Sequence, residues 1–225
     1  MKLSTDTLSV LKNFASINSG IMFKKGKTLR TVSPQKNVMA EATVSDEFPT
    51  DFGVYDLNNF LSVLSLHKDD STLDFQDNSV LISGLQGRSK IKYRFCAPNM
   101  IIVASDKPIA MPDPEISFEL KAEDFDWIMK AASVLSSPCI TVESDGNKVF
   151  ISTYDPTNDS AHTDALEICN GTGTKYKMVF KLENIKMLPG SYDVKISSKG
   201  ISNFKHKTLN VQYWIATETG SKYGA

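Results

Sequence analysis

Pro98, Pro108, Pro112 and Pro114 crowd into or beside the stretch from about Asn99 to Glu115. Each proline removes a backbone donor, fixes φ and disfavours a helical residue before it, so this stretch can enter neither a helix interior nor the middle of a sheet. It reads as an extended linker. The chain must then fold as two bodies, and the expected limits are a first domain over 1–103, a linker over 104–116 and a second domain over 117–225. Halves of roughly 110 residues each are long enough to bury their own cores.

The first half opens with an amphipathic helix, in which Leu8, Leu11, Phe14 and Ala15 recur at helical spacing while Ser9, Lys12, Asn13 and Ser16 take the other face. Ser4 or Thr5 can cap its start, and Asp6 suits the positive end of the helix dipole. Strands are expected around Ile21–Phe23, Leu29–Ser33 and Val38–Val44. A second helix, capped by Asp56, runs from Leu57 to about Leu66 on the stripe Leu57, Phe60, Leu61 and Leu64. Three more strands follow, around Thr72–Phe75, Val80–Ser83 and Ser89–Phe95.

Past the linker the order repeats. Phe118–Leu120 reads as a strand, and Ala122 to Leu135 as a helix burying Phe125, Ile128, Met129, Ala132 and Leu135. Strands at Ile140–Glu143 and Val149–Thr153 are joined by Asp145-Gly146-Asn147, a hairpin signal. Strands at Ala165–Cys169 and Tyr176–Phe180 precede a short helix, Leu182 to Met187, which Pro189-Gly190 ends. Tyr192–Ser197 and Leu209–Ala216 are the last strands expected. Helix, strands, helix, strands, twice over, is the order of a duplicated α+β domain.

Composition narrows the function classes. Lys plus Arg (25) balances Asp plus Glu (26), so any affinity for nucleic acid must come from where charges sit and not from their sum. Cys96, Cys139 and Cys169 are far apart and odd in number, which suggests neither a disulfide framework nor a C-x-x-C metal pair. The first residues turn polar at once, and no apolar run approaches the roughly 20 residues of a membrane span. The expectation is a reduced, intracellular compartment with no membrane partner.

Chemistry-bearing clusters are few. Asp155, Asp159, His162 and Asp164 can be drawn as the metal site of a hydrolase, but Asp155-Pro156-Thr157-Asn158-Asp159-Ser160 is also turn chemistry. Gly171-Thr172-Gly173-Thr174-Lys175 lacks the spacing and the following helix of a phosphate loop. His67 and His206 show no partner in the sequence and read as surface histidines. No Ser-His-Asp or Cys-His arrangement emerges, so the expectation is no catalytic residue, no metal and no cofactor. Lys12 and Lys130 occupy matching positions on the polar faces of the two long helices, with Lys121, Lys181 and Lys186 at or in helices too. If those faces line a pore, they meet phosphates by non-specific attraction that tracks a backbone without reading sequence. Trp214 lies between Tyr213 and Ile215 in the last strand, where period-two alternation sends Trp214 and Ala216 to one face and Tyr213 and Ile215 to the other.

A resemblance runs through nearly the whole chain. Met1-Lys2-Leu3-Ser4, Leu11-Lys12-Asn13-Phe14-Ala15 and Ile17-Asn18-Ser19-Gly20-Ile21-Met22 carry it, with Tyr55-Asp56-Leu57-Asn58 and Leu64-Ser65-Leu66. Lys107-Pro108-Ile109, Lys121-Ala122-Glu123-Asp124 and Met187-Leu188-Pro189-Gly190-Ser191-Tyr192 continue it. In order and spacing these segments resemble the sliding clamps of T-even-type bacteriophages and, more distantly, the eukaryotic and archaeal clamps, while Lys24–Asp51 and Tyr154–Lys175 depart from the pattern.

The resemblance implies a homotrimeric ring of α+β protomers, each with two similar clamp domains, helices lining the hole and sheets forming the outer wall. Double-stranded DNA, bound without regard to sequence, would face Lys12, Lys130, Lys121, Lys181 and Lys186. The subunit joint would pair the strand of Ile91, Tyr93 and Phe95 with the strand of Tyr176, Met178 and Phe180 in the next copy. A C-terminal peptide of the replicative DNA polymerase would dock on Ile109, Ala110, Met111, Trp214 and Ala216, with Val32 and Val38 contributing. An ATP-dependent clamp loader is implied, transcription proteins are further candidate partners, and the setting is the cytoplasm of an infected bacterium. The competing classes are a viral adaptor or structural protein that binds no DNA, and the metal-dependent hydrolase.

Overall fold

The computed structural model describes residues 1–67 and 70–224, which form two compact units, Met1–Pro108 and Ile109–Ala225. In the first unit, helix α1 spans Thr5–Ile17. Its N-cap is Ser4, whose hydroxyl accepts from the Thr7 amide at 3.2 Å, and Asp46 in turn accepts from both the amide and the hydroxyl of Ser4, each at 2.8 Å. The helix buries Val10, Leu11, Phe14 and Ile17. Strand β1 (Ile21–Phe23) pairs with β4 (Phe52–Val54), and β2 (Gly26–Val32) with the long β3 (Val38–Phe48), all antiparallel. Helix α2 (Leu57–Ser65), capped by Asp56 onto the Asn59 amide, packs its Leu57, Phe60, Leu61 and Leu64 stripe inward beside α1.

A three-stranded meander closes this unit: β5 (Thr72–Gln76), β6 (Ser79–Gly84) and β7 (Ser89–Arg94). Aromatic rings fill the space beneath. Phe23 stacks on Phe52 at 4.4 Å between centroids, Phe52 on Phe95 at 4.7 Å, and Tyr93 meets Phe60 edge-on at 5.1 Å. Strand β4 was not evident in the sequence; Gly53 lets its backbone bridge to Cys96, where a Cβ would sit 2.7 Å from the Cys96 carbonyl oxygen.

The second unit begins with β8 (Ile116–Leu120) and helix α3 (Ala122–Val134). One sheet has the order β11-β10-β9-β12-β16, from β9 (Cys139–Asp145), β10 (Lys148–Tyr154), β11 (Ala165–Asn170), β12 (Lys175–Lys181) and the two-residue β16 (Lys222–Tyr223). The other strands run β8-β13-β14-β15, from β13 (Tyr192–Ser197), β14 (Ile201–His206) and β15 (Val211–Ala216). Phe125, Phe180, Phe204, Tyr192 and Tyr213 form the core. The two buried tyrosines are satisfied through one residue: Tyr192 donates to the Leu188 carbonyl, and the Leu188 amide donates to the Tyr213 oxygen at 3.2 Å. Burial pushes the phenols of Tyr192 and Tyr213 far above the ordinary range.

Two expectations need correction here. The helix over Leu182–Met187 is a single 3-10 turn, Leu182–Asn184. Ile185 leaves helical geometry at φ −82°, ψ +66°, and Pro189 disfavours helix in the residue before it. Strand β14 was missed altogether. Its outward residues Asn203 and Lys205 hide the buried alternation of Ser202, Phe204 and His206.

Candidate functional site

Lys12 projects from the exposed side of α1, opposite Leu11 and Phe14, at the edge of a cleft of about 720 Å³ between α1 and α2 that Lys2, Leu8, Leu61 and Leu73 also line. Lys130 is exposed on α3, and Lys121 is the N-cap residue of that helix. Among the described residues, none of these three forms an ion pair. The other two lysines sit differently from expectation because the helix near them is only one turn. Lys181 ends β12 and pairs with Glu218 at 3.7 Å, and Lys186 follows the 3-10 turn. The helix faces are therefore sparsely cationic, and α3 also carries Glu123 and Asp124 in its first turn.

On α3 the sequence reading overlooked Trp127. At 100° per residue it lies opposite Phe125, Ile128 and Ala132, on the side of Lys130 and Val134, and it is 56% exposed. Its indole N–H donates to Asp164 Oδ2 at 3.0 Å. The helical wheel alone, applied to the polar side as well as the apolar one, would have found it.

That bond engages one carboxylate oxygen of Asp164. Asp155 accepts from the Thr157 amide at 2.9 Å and hydroxyl at 2.8 Å, contacts that hold its carboxyl below the usual carboxylate range. The segment is turn-forming, and among the described residues no three His, Cys, Asp or Glu side chains converge on a metal position. Both histidines read as surface residues are buried. His206 Nδ1 accepts from the amides of Thr208 at 3.2 Å and Leu209 at 3.1 Å, so the proton belongs on Nε2, which donates to the Pro189 carbonyl at 3.2 Å. Gly190 lies under this ring at φ +148°, where a Cβ would meet Nε2 at 2.1 Å. Histidine enters the core here because its two nitrogens serve backbone groups that turn past it.

Among the described residues β7 and β11 each end a sheet, with β5 and the two-residue β16 at the opposite ends. Among the described residues β7 has a ladder only with β6, and it sends Lys90, Lys92 and Arg94 outward while Ile91 and Tyr93 face inward. Tyr93 is anchored by donating to the Asp56 carbonyl at 3.1 Å; Phe95, past the strand's end, is spent on stacking against Phe52. The strand holding Tyr176, Met178 and Phe180 is not an edge. β12 is paired on one side with β9 and on the other with β16. The Val179 amide donates to Ser221 Oγ at 2.9 Å, and the Glu218 amide to the Val179 carbonyl at 2.8 Å. Tyr176 is buried, with its phenol pushed up to about 12 by desolvation, while Met178 and Phe180 are 1% and 0% exposed. The free edge of that sheet is β11, which carries an outward Glu167 paired with Lys148 at 2.7 Å and a register shift opposite Val149/Phe150.

The docking residues are also placed unevenly. Ile109, Ala110 and Met111 are partly or fully exposed, whereas Val32 and Val38 are core residues of the first unit. Trp214 is only 9% exposed, Ala216 is half-buried, and Tyr213 and Ile215 are fully buried, so both faces of β15 are largely covered.

Comparison with known proteins follows the two halves. Residues 4–103 match the family described as DNA polymerase processivity factor, and residues 117–219 the family described as gp45 sliding clamp, C terminal. The sliding clamp of Vibrio phage KVP40 is 35% identical over 224 residues, covering 97% of this chain and 99% of that protein. Those of Escherichia phage RB69 and Enterobacteria phage T4 are 35% and 34% identical, each over 99% of both chains. Among solved structures, the PCNA of Thermococcus kodakaraensis superposes with a TM-score of 0.68 at 18% identity over 95% of this chain and 96% of that one. The Proliferating Cellular Nuclear Antigen of Entamoeba histolytica gives 0.67 at 16%, over 94% of each. At such identities these structures establish the fold.

Proposed function

The chain belongs to the phage sliding-clamp family of DNA polymerase processivity factors, and on that premise we propose that three copies close head to tail around duplex DNA and tether the replicative polymerase to it. The full-length match in both halves carries this reading. A polymerase that releases the primer end while tethered stays at high effective concentration, so rebinding outruns escape. Topology holds the ring on DNA, and sparse lysines at Lys12, Lys121 and Lys130 suit that, since a dense basic lining would add friction without adding retention. The work is done in the infected cell.

The joint follows from the two open edges. Pairing β7 of one copy antiparallel to β11 of the next satisfies both rows of backbone groups and closes those two edges. Overlap over the full length of both strands sets Tyr93 opposite Leu166 on the inner face and Lys92 opposite Glu167 on the outer face. Any other register shortens the ladder. The polymerase's C-terminal peptide docks along Ile109, Ala110 and Met111. Opening the ring falls to an ATP-driven loader, and transcription proteins are further users of the docking segment. Native mass spectrometry at micromolar concentration tests assembly: a trimer is expected, and monomers alone at every concentration would overturn the ring.

A further inference from the structure

The linker is secured at both ends and unbonded in its middle. On the side of the first unit, the Asn18 side chain, itself buried, donates through Nδ2 to the carbonyls of Val32 at 3.0 Å and Ile102 at 3.1 Å, while its Oδ1 accepts from the Gly20 amide at 3.1 Å. Four residues on, Arg30 grips the chain again. Its Nε and Nη2 bind one carboxylate oxygen of Glu41 at 2.7 and 2.6 Å, which aims Nη1 at the carbonyls of Asp106 at 2.6 Å and Ser105 at 3.4 Å. Lys24, held by Asp51 at 3.2 Å, reaches the Asp106 carboxylate at 3.6 Å. On the side of the second unit, Glu115 accepts from the Ser198 amide at 2.9 Å and hydroxyl at 2.6 Å. Between these anchors, residues 108–114 have no hydrogen bond among the described residues, and Ile109, Ala110 and Met111 lie in that gap.

We propose that Asn18, Arg30 and Glu115 are positioning residues for partner docking: each fastens one end of the linker to its own unit and so limits where the unbonded middle can go. The effect on partners rests on the docking reading given above; the fastening itself does not. Arg30 is the main device, because only a guanidinium can bind a carboxylate through one edge and two carbonyls through another; lysine has a single donor centre. The anchors work by population. An untethered linker visits the docking conformation for only part of the time, and apparent affinity falls by that fraction. With about one third occupancy after release, the polymerase peptide binds about threefold more weakly.

The test uses the full chain in four forms: wild type, Arg30→Ala, Arg30→Lys and Glu115→Ala. Backbone ¹⁵N relaxation of Val103, Ser105, Lys107 and Met111 reads the linker directly, calorimetry reads the C-terminal polymerase peptide, and thermal melts check folding. Arg30→Ala should raise ns motion across residues 103–111 and Glu115→Ala across residues 107–114, each weakening the peptide severalfold, with unchanged contacts by chemical shift elsewhere. Arg30→Lys should stay folded through its Glu41 pair, loosen the linker and weaken the peptide as Arg30→Ala does. Rigid linkers in folded variants, or loosened linkers with wild-type affinity, would overturn the positioning role. Met111→Asp in the same series separates the two readings: if it leaves affinity untouched, the docking site lies elsewhere, while the relaxation result still decides the fastening.

Discussion

Reversing one charge at the proposed joint should break the ring without harming the subunit. In Glu167→Lys the new ammonium faces Lys92 of the neighbouring copy. An exposed ion pair contributes about 0.2–1 kcal/mol, and like charges directly opposed across strands cost a similar amount, so each joint loses roughly 0.4–2 kcal/mol. A closed trimer has three such joints, which makes about 1–6 kcal/mol, or roughly 10- to 20,000-fold in the association constant. Within the subunit only the Lys148–Glu167 pair is lost, and both its side chains are about half exposed, so the melting temperature should barely move. Sedimentation equilibrium over a range of concentrations and two salt levels measures the loss. The reciprocal Lys92→Glu should be as disruptive, and the double variant should restore the trimer. If either single variant assembles like wild type, or the double variant does not recover, the register placing Lys92 opposite Glu167 is wrong.

Lys12→Glu combined with Lys130→Glu should reduce clamp-dependent processive synthesis in a primer-extension assay with a polymerase trap, while trimer mass and melting stay as in wild type; full processivity would remove these helix faces from the DNA. Met111→Asp should weaken the polymerase peptide by about 1–3 kcal/mol, a typical hot-spot loss; because Met111 is partly exposed on the linker, melting should stay close to wild type. Asp46 gives a pH dependence. Burial alone would push its carboxyl up, but hydrogen bonds from Thr7 and from the amide and hydroxyl of Ser4 outweigh burial and hold it below the ordinary range. A depressed carboxylate contributes stability above its unfolded pKa and loses it as pH falls through the folded one. The difference in melting temperature between wild type and Asp46→Ala should therefore shrink as pH drops through and below about 4; a constant difference would mean that the cap does not depend on the charge.

Periodicity located every element with a clean amphipathic signature. The caps at Ser4 and Asp56, the stripes of α1, α2 and α3, and the hairpin at Asp145-Gly146-Asn147 all lie where the pattern places them. What escaped was set by tertiary contacts. Strand β14 sets Asn203 beside Lys195 and Lys205 beside Asp193 and Gln212 on its outward face, and His206 is buried because three backbone groups close on its ring. The strand expected at the joint is covered for a related reason. Tyr176, Met178 and Phe180 look like an interface because they are large and apolar, yet the chain's own C-terminal segment covers that strand, a contact more than forty residues away in sequence. The longer end strand of that sheet, β11, carries a mixed sequence interrupted by a bulge and gives a weaker signal. The chain divides at Pro108 and Ile109, within the proline-rich stretch, but the side chains that fasten that stretch sit on α1's exit and on β2, far from it in sequence.

Retention on DNA of different topology tests the ring most directly. Clamps placed by their loader on singly nicked circular DNA should remain bound through gel filtration in high salt, and a single restriction cut should release them within seconds as they slide off the ends. A double-stranded end blocked by a tightly bound protein should restore retention. Equal retention on circular and cut DNA, or loss from both as salt rises, would show a protein held by ion contacts and would contradict encirclement.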